Sequence, residues 1–172
     1  MPTGVLLIIN MQNDYVKNGR AEVAATEKTI NKIAAMIPKF FNVVFVRRLN
    51  EKFTELCSND KTADIIDKMP MEGYVFSYNG GNDIFLMDEK DNGLEAILND
   101  FKEEDIYLCG VETDKEILDT ATKLISMNLR PIIIKDLCAS NTEKRTVNKK
   151  LTASFVGVIN SSEIPEDVWT DI

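Results

Sequence analysis

Histidine is missing altogether from these 172 residues. Its absence removes Ser-His and Cys-His nucleophile pairs, histidine-ligated zinc, and the one side chain whose ordinary pKa lies near neutrality. Acid–base chemistry is left to carboxylates, Lys, Tyr or Cys. No apolar run approaches the roughly 20 residues of a membrane-spanning helix. The opening Met1-Pro2-Thr3-Gly4 leads into Val5-Leu6-Leu7-Ile8-Ile9, which is too short and lacks the flanking charge of a signal peptide. Cysteine is sparse: Cys57, Cys109 and Cys138 are an odd number without metal-ligand spacing, so no disulfide framework is expected and a reducing cytoplasm is the expected location. Positive charge is also in deficit, with 20 Lys and Arg against 28 Asp and Glu and a net charge of -8. Nucleic acid is therefore not an expected partner, because phosphate binding needs clustered cations that release counterions. The basic cluster of Lys144-Arg145 with Lys149-Lys150 sits at helical spacing among polar residues and reads as a solvated face; steering of a substrate is the alternative.

A hydrophobic content of 44% is enough for one substantial core, and residues 1–172 are expected to form a single domain. No internal repeat, low-complexity tract or linker interrupts the chain. Short apolar runs alternate with longer segments of helical period, the pattern of a parallel sheet covered on both faces. The expected strands are Val5 to Asn10, Val43 to Arg47, Gly73 to Phe76, Asp105 to Cys109, Pro131 to Lys135 and Val156 to Ile159. The expected helices are Thr26 to Ile37, closed by Pro38; Gly93 to Phe101; a helix capped by Thr113 that turns Ile117, Ala121, Leu124 and Ile125 inward; and Thr142 to Phe155. Tyr78-Asn79-Gly80-Gly81-Asn82-Asp83 reads as a loop. The fold class that follows is α/β, a three-layer doubly wound sheet of six parallel strands with right-handed crossovers. In such sheets ligands bind beyond the carboxyl ends of the strands, where strand order reverses, which puts Asn10, the loop after Phe76 and the turn after Cys109 at one mouth.

Three segments carry a more specific signal. Ile8-Ile9-Asn10-Met11-Gln12-Asn13-Asp14-Tyr15 closes the first strand, Gly110-Val111-Glu112-Thr113-Asp114-Lys115-Glu116 follows the fourth, and Ile133-Ile134-Lys135-Asp136-Leu137-Cys138-Ala139-Ser140 covers the fifth. In order and spacing they resemble the isochorismatase-like cysteine hydrolases, whose opening Ile-Asp-Met-Gln-Asn-Asp-Phe, Gly-Val-x-Thr-Asp-x-Cys turn and Asp-Ala-Cys-Ala-Ser segment they follow across nearly the whole chain. The resemblance implies a six-stranded parallel sheet and a triad: an Asp that takes a thiol proton, a Lys beyond the third strand, and a Cys whose thiolate attacks a carbonyl carbon. Backbone N–H groups near an often cis peptide in the turn hold the oxyanion. Carried over residue by residue, Asn10 stands at the Asp position and Glu116 at the Cys position. The Lys position falls among Ser77, Tyr78 and Asn79, while Lys68 and Lys90 would need another backbone path. Metal-dependent relatives, the nicotinamidases, place an Asp and two His after the second strand; Arg47-Arg48-Leu49-Asn50-Glu51-Lys52-Phe53 contains no histidine, so no metal and no cofactor is expected.

Each of these residues also has a structural reading. Glu116 in a first helical turn is stabilised by the dipole and by free N–H groups, which would lower its pKa and make it a poor base; the alternative makes it a nucleophile or a base for water. A hydrogen bond between Asn10 and Glu116 is expected to replace the contact between acid and partner. Cys109 and Cys138 read as small buried hydrophobes and Cys57 as exposed and unactivated. Tyr15, Tyr78, Asn79 and Phe85, with Val111 and Glu112 of the turn, are the candidate pocket residues, suited to a small cationic or amide-bearing ligand; core packing is the other reading of Tyr15 and Phe85. The function expected on the resemblance is a hydrolase homologue without the triad, inactive but retaining a small-molecule pocket or a protein-interaction surface. The alternative is a hydrolase of altered mechanism in which Glu116 activates water. The expected partners are a small-molecule ligand and further copies of the chain in a homo-oligomer, not a membrane.

Overall fold

The computed structural model of the chain describes residues 4–17, 22–49, 65–66, 69, 73–79 and 81–165. Cys57, Lys68 and Gly80 lie outside them, as do residues 50–53 of the segment after the second strand. Among the described residues the strands are β1 Gly4–Ile9, β2 Asn42–Arg48, β3 Tyr74–Tyr78, β4 Leu86–Met87, β5 Lys90–Asp91, β6 Asp105–Val111, β7 Arg130–Ala139 and β8 Gly157–Ile159, and the longer helices are α1 Thr26–Met36, α2 Leu94–Asn99, α3 Leu118–Ser126 and α4 Lys144–Ala153. Six strands form one sheet in the order β3-β2-β1-β6-β7-β8, all pairs parallel. The expected α/β architecture is the one observed. The small antiparallel pair β4 and β5 was not anticipated; two-residue strands carry too little periodicity to register in a sequence.

Alternation along the strands sorts the core into two layers. Leu6 and Ile8 of β1 point to the side of α1, with Ile30 and Ile33, whereas Val5, Leu7 and Ile9 point to the side of α2, α3 and α4, with Leu94, Leu98, Ala121, Leu124, Val147 and Leu151. With both faces covered, β1 is buried at every position, which is why it reads as an unbroken apolar run rather than an alternating one.

Several element ends differ from expectation, and the differences matter at the mouth of the sheet. β3 runs on to Tyr78: its polar last residues read as a loop but pair with Arg47 and Arg48 of β2. β7 continues to Ala139, with a register shift against β6 between Leu108 and Gly110. The helix expected to be capped by Thr113 instead has Glu112 at its N-cap and a π-helical first turn, Thr113–Ile117. The Glu112 carbonyl accepts from the N–H of both Lys115 and Ile117. Pro38 ends α1 as expected, within a 3₁₀ turn over Ile37–Lys39. Gly110 in β6 has φ +118, and a Cβ there would lie 1.9 Å from the Ile9 carbonyl oxygen, so only glycine lets β6 close against the end of β1.

Candidate functional site

The chain leaves β1 toward β2 and β3 on one side, and later β6 leads to β7 and β8 on the other, so strand order reverses between β1 and β6. This is where an open α/β sheet offers its binding crevice. Asn10 follows β1 with φ 58, a left-handed conformation that Asn tolerates better than most residues, and its N–H donates to the Val46 carbonyl at 2.9 Å. The Val111-Glu112 peptide at the end of β6 is cis. The turn that follows carries Glu116, the end of β2 supplies Arg48, the end of β3 supplies Tyr78, and a short 3₁₀ turn after β1 supplies Tyr15.

These side chains are buried at the crevice. Asn10 and Tyr78 are fully buried, Tyr15 is 2% exposed, Val111 is fully buried and Glu116 is 3% exposed. Asn10 Nδ2 donates to the Val111 carbonyl at 3.1 Å and its Oδ1 accepts from the Tyr78 hydroxyl at 2.8 Å. Both ends of the amide are thereby occupied. The Glu116 carboxylate takes its partners elsewhere: Oε2 accepts from the Glu112 N–H at 3.2 Å, and Oε1 lies 3.3 Å from Arg48 Nη1. The expected bond between Asn10 and Glu116 is therefore not made: the amide bonds to Val111 and Tyr78, and a guanidinium offers the carboxylate a charged partner.

Arg48 is the residue that sequence reasoning missed. Its backbone is clamped by Gln12, whose Oε1 accepts from the Arg48 N–H at 2.7 Å and whose Nε2 donates to the Arg48 carbonyl at 2.9 Å. Its guanidinium reaches across the crevice, donates to the Gly81 carbonyl, pairs with Glu116 and lies 5.5 Å from the Tyr78 ring centroid, within cation–π range. A signal was present: Arg47-Arg48 ends an apolar strand at the carboxyl edge of the sheet, beside the strand that carries Asn10.

Electrostatics here run against one expectation. Burial pushes the Glu116 carboxyl above its ordinary value, and the N–H groups of Glu116 and Glu112 together with the Arg48 charge pull it only part of the way back. The anticipated lowering by the helix end fails because desolvation of a nearly buried carboxylate outweighs the dipole of one turn. Burial likewise opposes the Arg48 charge, but Tyr78, Tyr15 and Glu116 outweigh it and hold the guanidinium above its ordinary range.

The remaining candidates lie apart from this cluster. Asn79 exchanges hydrogen bonds with Asp88, at 2.7 Å to its Oδ1 and 2.8 Å from its N–H. Phe85 is buried among Ile84, Leu94 and Leu98, and its ring has Lys123 Nζ 4.6 Å from its centroid. Glu112 accepts from Lys115 Nζ at 3.1 Å and from the Asn141 N–H at 3.3 Å. Ser77 Oγ accepts from Arg47 Nε at 3.0 Å, and Lys90 sits in β5. Burial raises the Cys109 thiol well above its ordinary value and pushes Cys138 up to about 12, so both stay protonated at neutral pH. A metal of the Asp and two-His kind is not fitted by these residues. The chain has no histidine, no three His, Cys, Asp or Glu side chains converge among the described residues, and Arg48 brings a fixed positive charge to the end of β2.

Comparison with known proteins agrees with this fold. The profile of the isochorismatase domain matches residues 4–163. No protein of curated function matches the chain in sequence. Solved structures with a similar fold include the Acinetobacter baumanii nicotinamidase/pyrazinamidase, at 14% identity and a TM-score of 0.81 with 96% of this chain and 99% of that one covered. An isochorismatase-like hydrolase from Alkaliphilus metalliredigens is 18% identical at a TM-score of 0.81 and 96% coverage of both chains. N-carbamoylsarcosine amidase from Thermoplasma acidophilum is 21% identical at a TM-score of 0.76, with 94% of this chain and 98% of that one covered. At these identities the likeness is one of fold, and the assignment rests on the profile spanning nearly the whole chain. The chain belongs to the isochorismatase domain family.

Proposed function

We propose that this chain is a member of the isochorismatase family that no longer performs the cysteine-hydrolase reaction and serves as a binding or interaction scaffold. One observation carries the reading: the Glu116 carboxylate is held between Arg48 Nη1 at 3.3 Å and the Glu112 N–H at 3.2 Å. On the family pattern Glu116 stands where the thiolate would attack, and an N–H of this turn would receive the developing oxyanion. Here an internal carboxylate accepts from an N–H of that turn. Asn10, at the position of the family's proton acceptor, is a neutral amide whose oxygen is occupied by Tyr78, and it cannot take a proton at ordinary pH. Tyr78 stands on this reading near the family Lys position. The burial and mutual hydrogen bonding of these side chains favour a protein partner, a further copy of the chain included, over a small ligand. No helix among the described residues is long and apolar enough to cross a membrane, which is compatible with the cytoplasmic location we propose.

The test is a turnover assay on nicotinamide, N-carbamoylsarcosine, simple esters and vinyl ethers, following ammonia or acid release. The expected result is no rate above that of Glu116→Ala. A steady-state rate that Glu116→Ala abolishes overturns the proposal.

A second reading is favoured by the upward shift of the Glu116 carboxyl, which would make it a better base than an exposed glutamate. In that reading Arg48 releases Glu116 when substrate enters, Glu116 activates water, and Asn10 orients the substrate. It requires a rate that falls in both Glu116→Gln and Asn10→Ala and that rises with pH through the raised Glu116 value.

A further inference from the structure

Strand β3 is one of the two edges of the sheet, and it lacks the devices that keep edges from pairing. Tyr74-Val75-Phe76-Ser77-Tyr78 contains no charge, proline or glycine, and aromatic and β-branched residues of this kind suit a paired strand. The other edge, β8, is three residues long and is protected by its shortness. The Tyr78 carbonyl accepts from the Leu49 N–H at 2.8 Å, on the side of β2. By alternation the backbone groups of Tyr74 and Phe76 also face β2, and those of Val75 and Ser77 face outward. The outward Ser77 carbonyl accepts from Asn92 Nδ2 at 2.9 Å. The Val75 N–H and carbonyl have no such partner among the described residues.

Apolar surface is uncovered at the same place. Phe41 is 76% exposed, Tyr74 58% and Val75 43%. Gly73 approaches β2 so closely that a Cβ would lie 2.0 Å from the Val43 carbonyl oxygen, which sets the start of β3 beside the segment that carries Phe41. An aromatic side chain covers roughly 200 Å² when buried, so these two rings leave about 270 Å² open. A standard interface takes about 800 Å² from each partner, of which about 450 Å² is apolar. The rings supply more than half of that apolar share. A chain of net charge -8 repels its own copies, so two copies meet at least cost along a strand without charge.

We propose that two copies of this chain pair through β3, antiparallel about a twofold axis at Val75. The Val75 N–H of each copy donates to the Val75 carbonyl of the other, and Tyr74 of each stands opposite the partly buried Phe76 of the other. The exposed rings lie toward the amino ends of β2 and β3, whereas the crevice of Asn10 and Glu116 lies at the carboxyl ends. The pairing therefore goes beyond the loss of catalysis and does not rest on it.

Sedimentation equilibrium of the full chain over a range of concentrations tests this, with a monomer–dimer equilibrium as the expected result. Val75→Pro removes the N–H donated to the partner, and Tyr74→Lys sets an ammonium against an aromatic neighbour at an uncharged edge. Each should weaken dimerisation at least about tenfold. Phe155→Ala, beside β8 and 96% exposed, should leave it unchanged. In a Cys57→Ser background, oxidised Val75→Cys should form a covalent dimer, because residues paired in this way lie about 5.5 Å apart at Cα, within disulfide reach. Ser77→Cys should not, because its counterpart lies about 14 Å away. Thermal melts establish that each variant folds, and Tyr74→Lys alone carries the comparison if Val75→Pro does not. A chain that stays monomeric at every concentration overturns the proposal. So does a dimer that Tyr74→Lys and Val75→Pro leave intact, one that Phe155→Ala weakens as much, or one that crosslinks through Ser77→Cys and not Val75→Cys.

Discussion

Replacing Arg48 with Met keeps an aliphatic stem in the crevice but strips Glu116 of its counter-charge. Glu116 is 3% exposed and Arg48 17% exposed, so the pair is buried in the sense that matters: water cannot replace the lost partner at the carboxylate. Breaking a buried pair by removing one member costs roughly 3–5 kcal/mol. Glu116 retains the Glu112 N–H, which argues for the lower end, about 3 kcal/mol. For a chain of this length that corresponds to a fall in Tm of roughly 6–12 °C. The pH dependence has a definite sign. Because the folded Glu116 carboxyl titrates above its ordinary value of 4.5, its contribution to stability is fully present below about 4.5 and is lost as pH rises through the folded value. Removing Arg48 raises that value further, so the deficit of Arg48→Met should be large at pH 7 and shrink toward pH 4.5. The double variant Arg48→Met/Glu116→Gln, which leaves no buried charge, should recover most of the loss, since replacing both partners of a buried pair is often close to neutral. Urea and thermal unfolding followed by circular dichroism at both pH values measure all of this. A loss under about 1 kcal/mol at pH 7, or a double variant no more stable than Arg48→Met, would refute the assignment of a buried, mutually dependent pair.

Other perturbations follow from the same contacts. Tyr78→Phe deletes the hydroxyl that donates to Asn10 Oδ1 at 2.8 Å and strands a buried acceptor, so a loss of about 1–3 kcal/mol is expected in urea titrations; a loss within error would mean that the oxygen finds another donor. Asp114 is held at about 2, below its ordinary 3.8, by Ser140, Lys150 and Thr142 acting against burial. Its contribution is therefore complete above 3.8 and disappears as pH falls toward 2, and Asp114→Asn should flatten the acid limb of the stability curve over that window. An unchanged slope in Asp114→Asn would assign acid lability to other carboxylates.

Much of the architecture was legible because it depends on local periodicity. Unbroken apolar runs such as Val5-Leu6-Leu7-Ile8-Ile9 report burial on both faces, and Ile117, Ala121 and Leu124 report one helical stripe; all of these are buried, whereas Ile125, placed on the same stripe by its spacing, lies at its edge and is 43% exposed. Gathering Asn10, Val111, Glu116 and Tyr78 was legible from one topological rule, that chemistry collects where strand order reverses. The partners within that gathering were not. Arg48 is one of two adjacent cations at a strand end, and only the strand's parity and its clamp by Gln12 turn one toward Glu116 and the other toward Ser77. Phe85 and Asn79 were grouped with the crevice as pocket residues, yet Phe85 faces Lys123 and Asn79 bonds to Asp88, in the turn between two strands too short to show in the sequence.

Composition and order alone thus settled what chemistry is excluded and which layers must form: no histidine means no imidazole base or imidazole ligand anywhere in the chain, and the spacing of apolar residues admits one sheet with two helical coats. Tertiary structure alone decided the state of the crevice. Whether Glu116 behaves as a helix-end carboxylate or as a desolvated one paired with a guanidinium depends on which groups lie within about 4 Å of it and how much water they exclude. The guanidinium among those neighbours comes from Arg48 at the end of β2, far from Glu116 in the chain, so no local pattern encodes the pair.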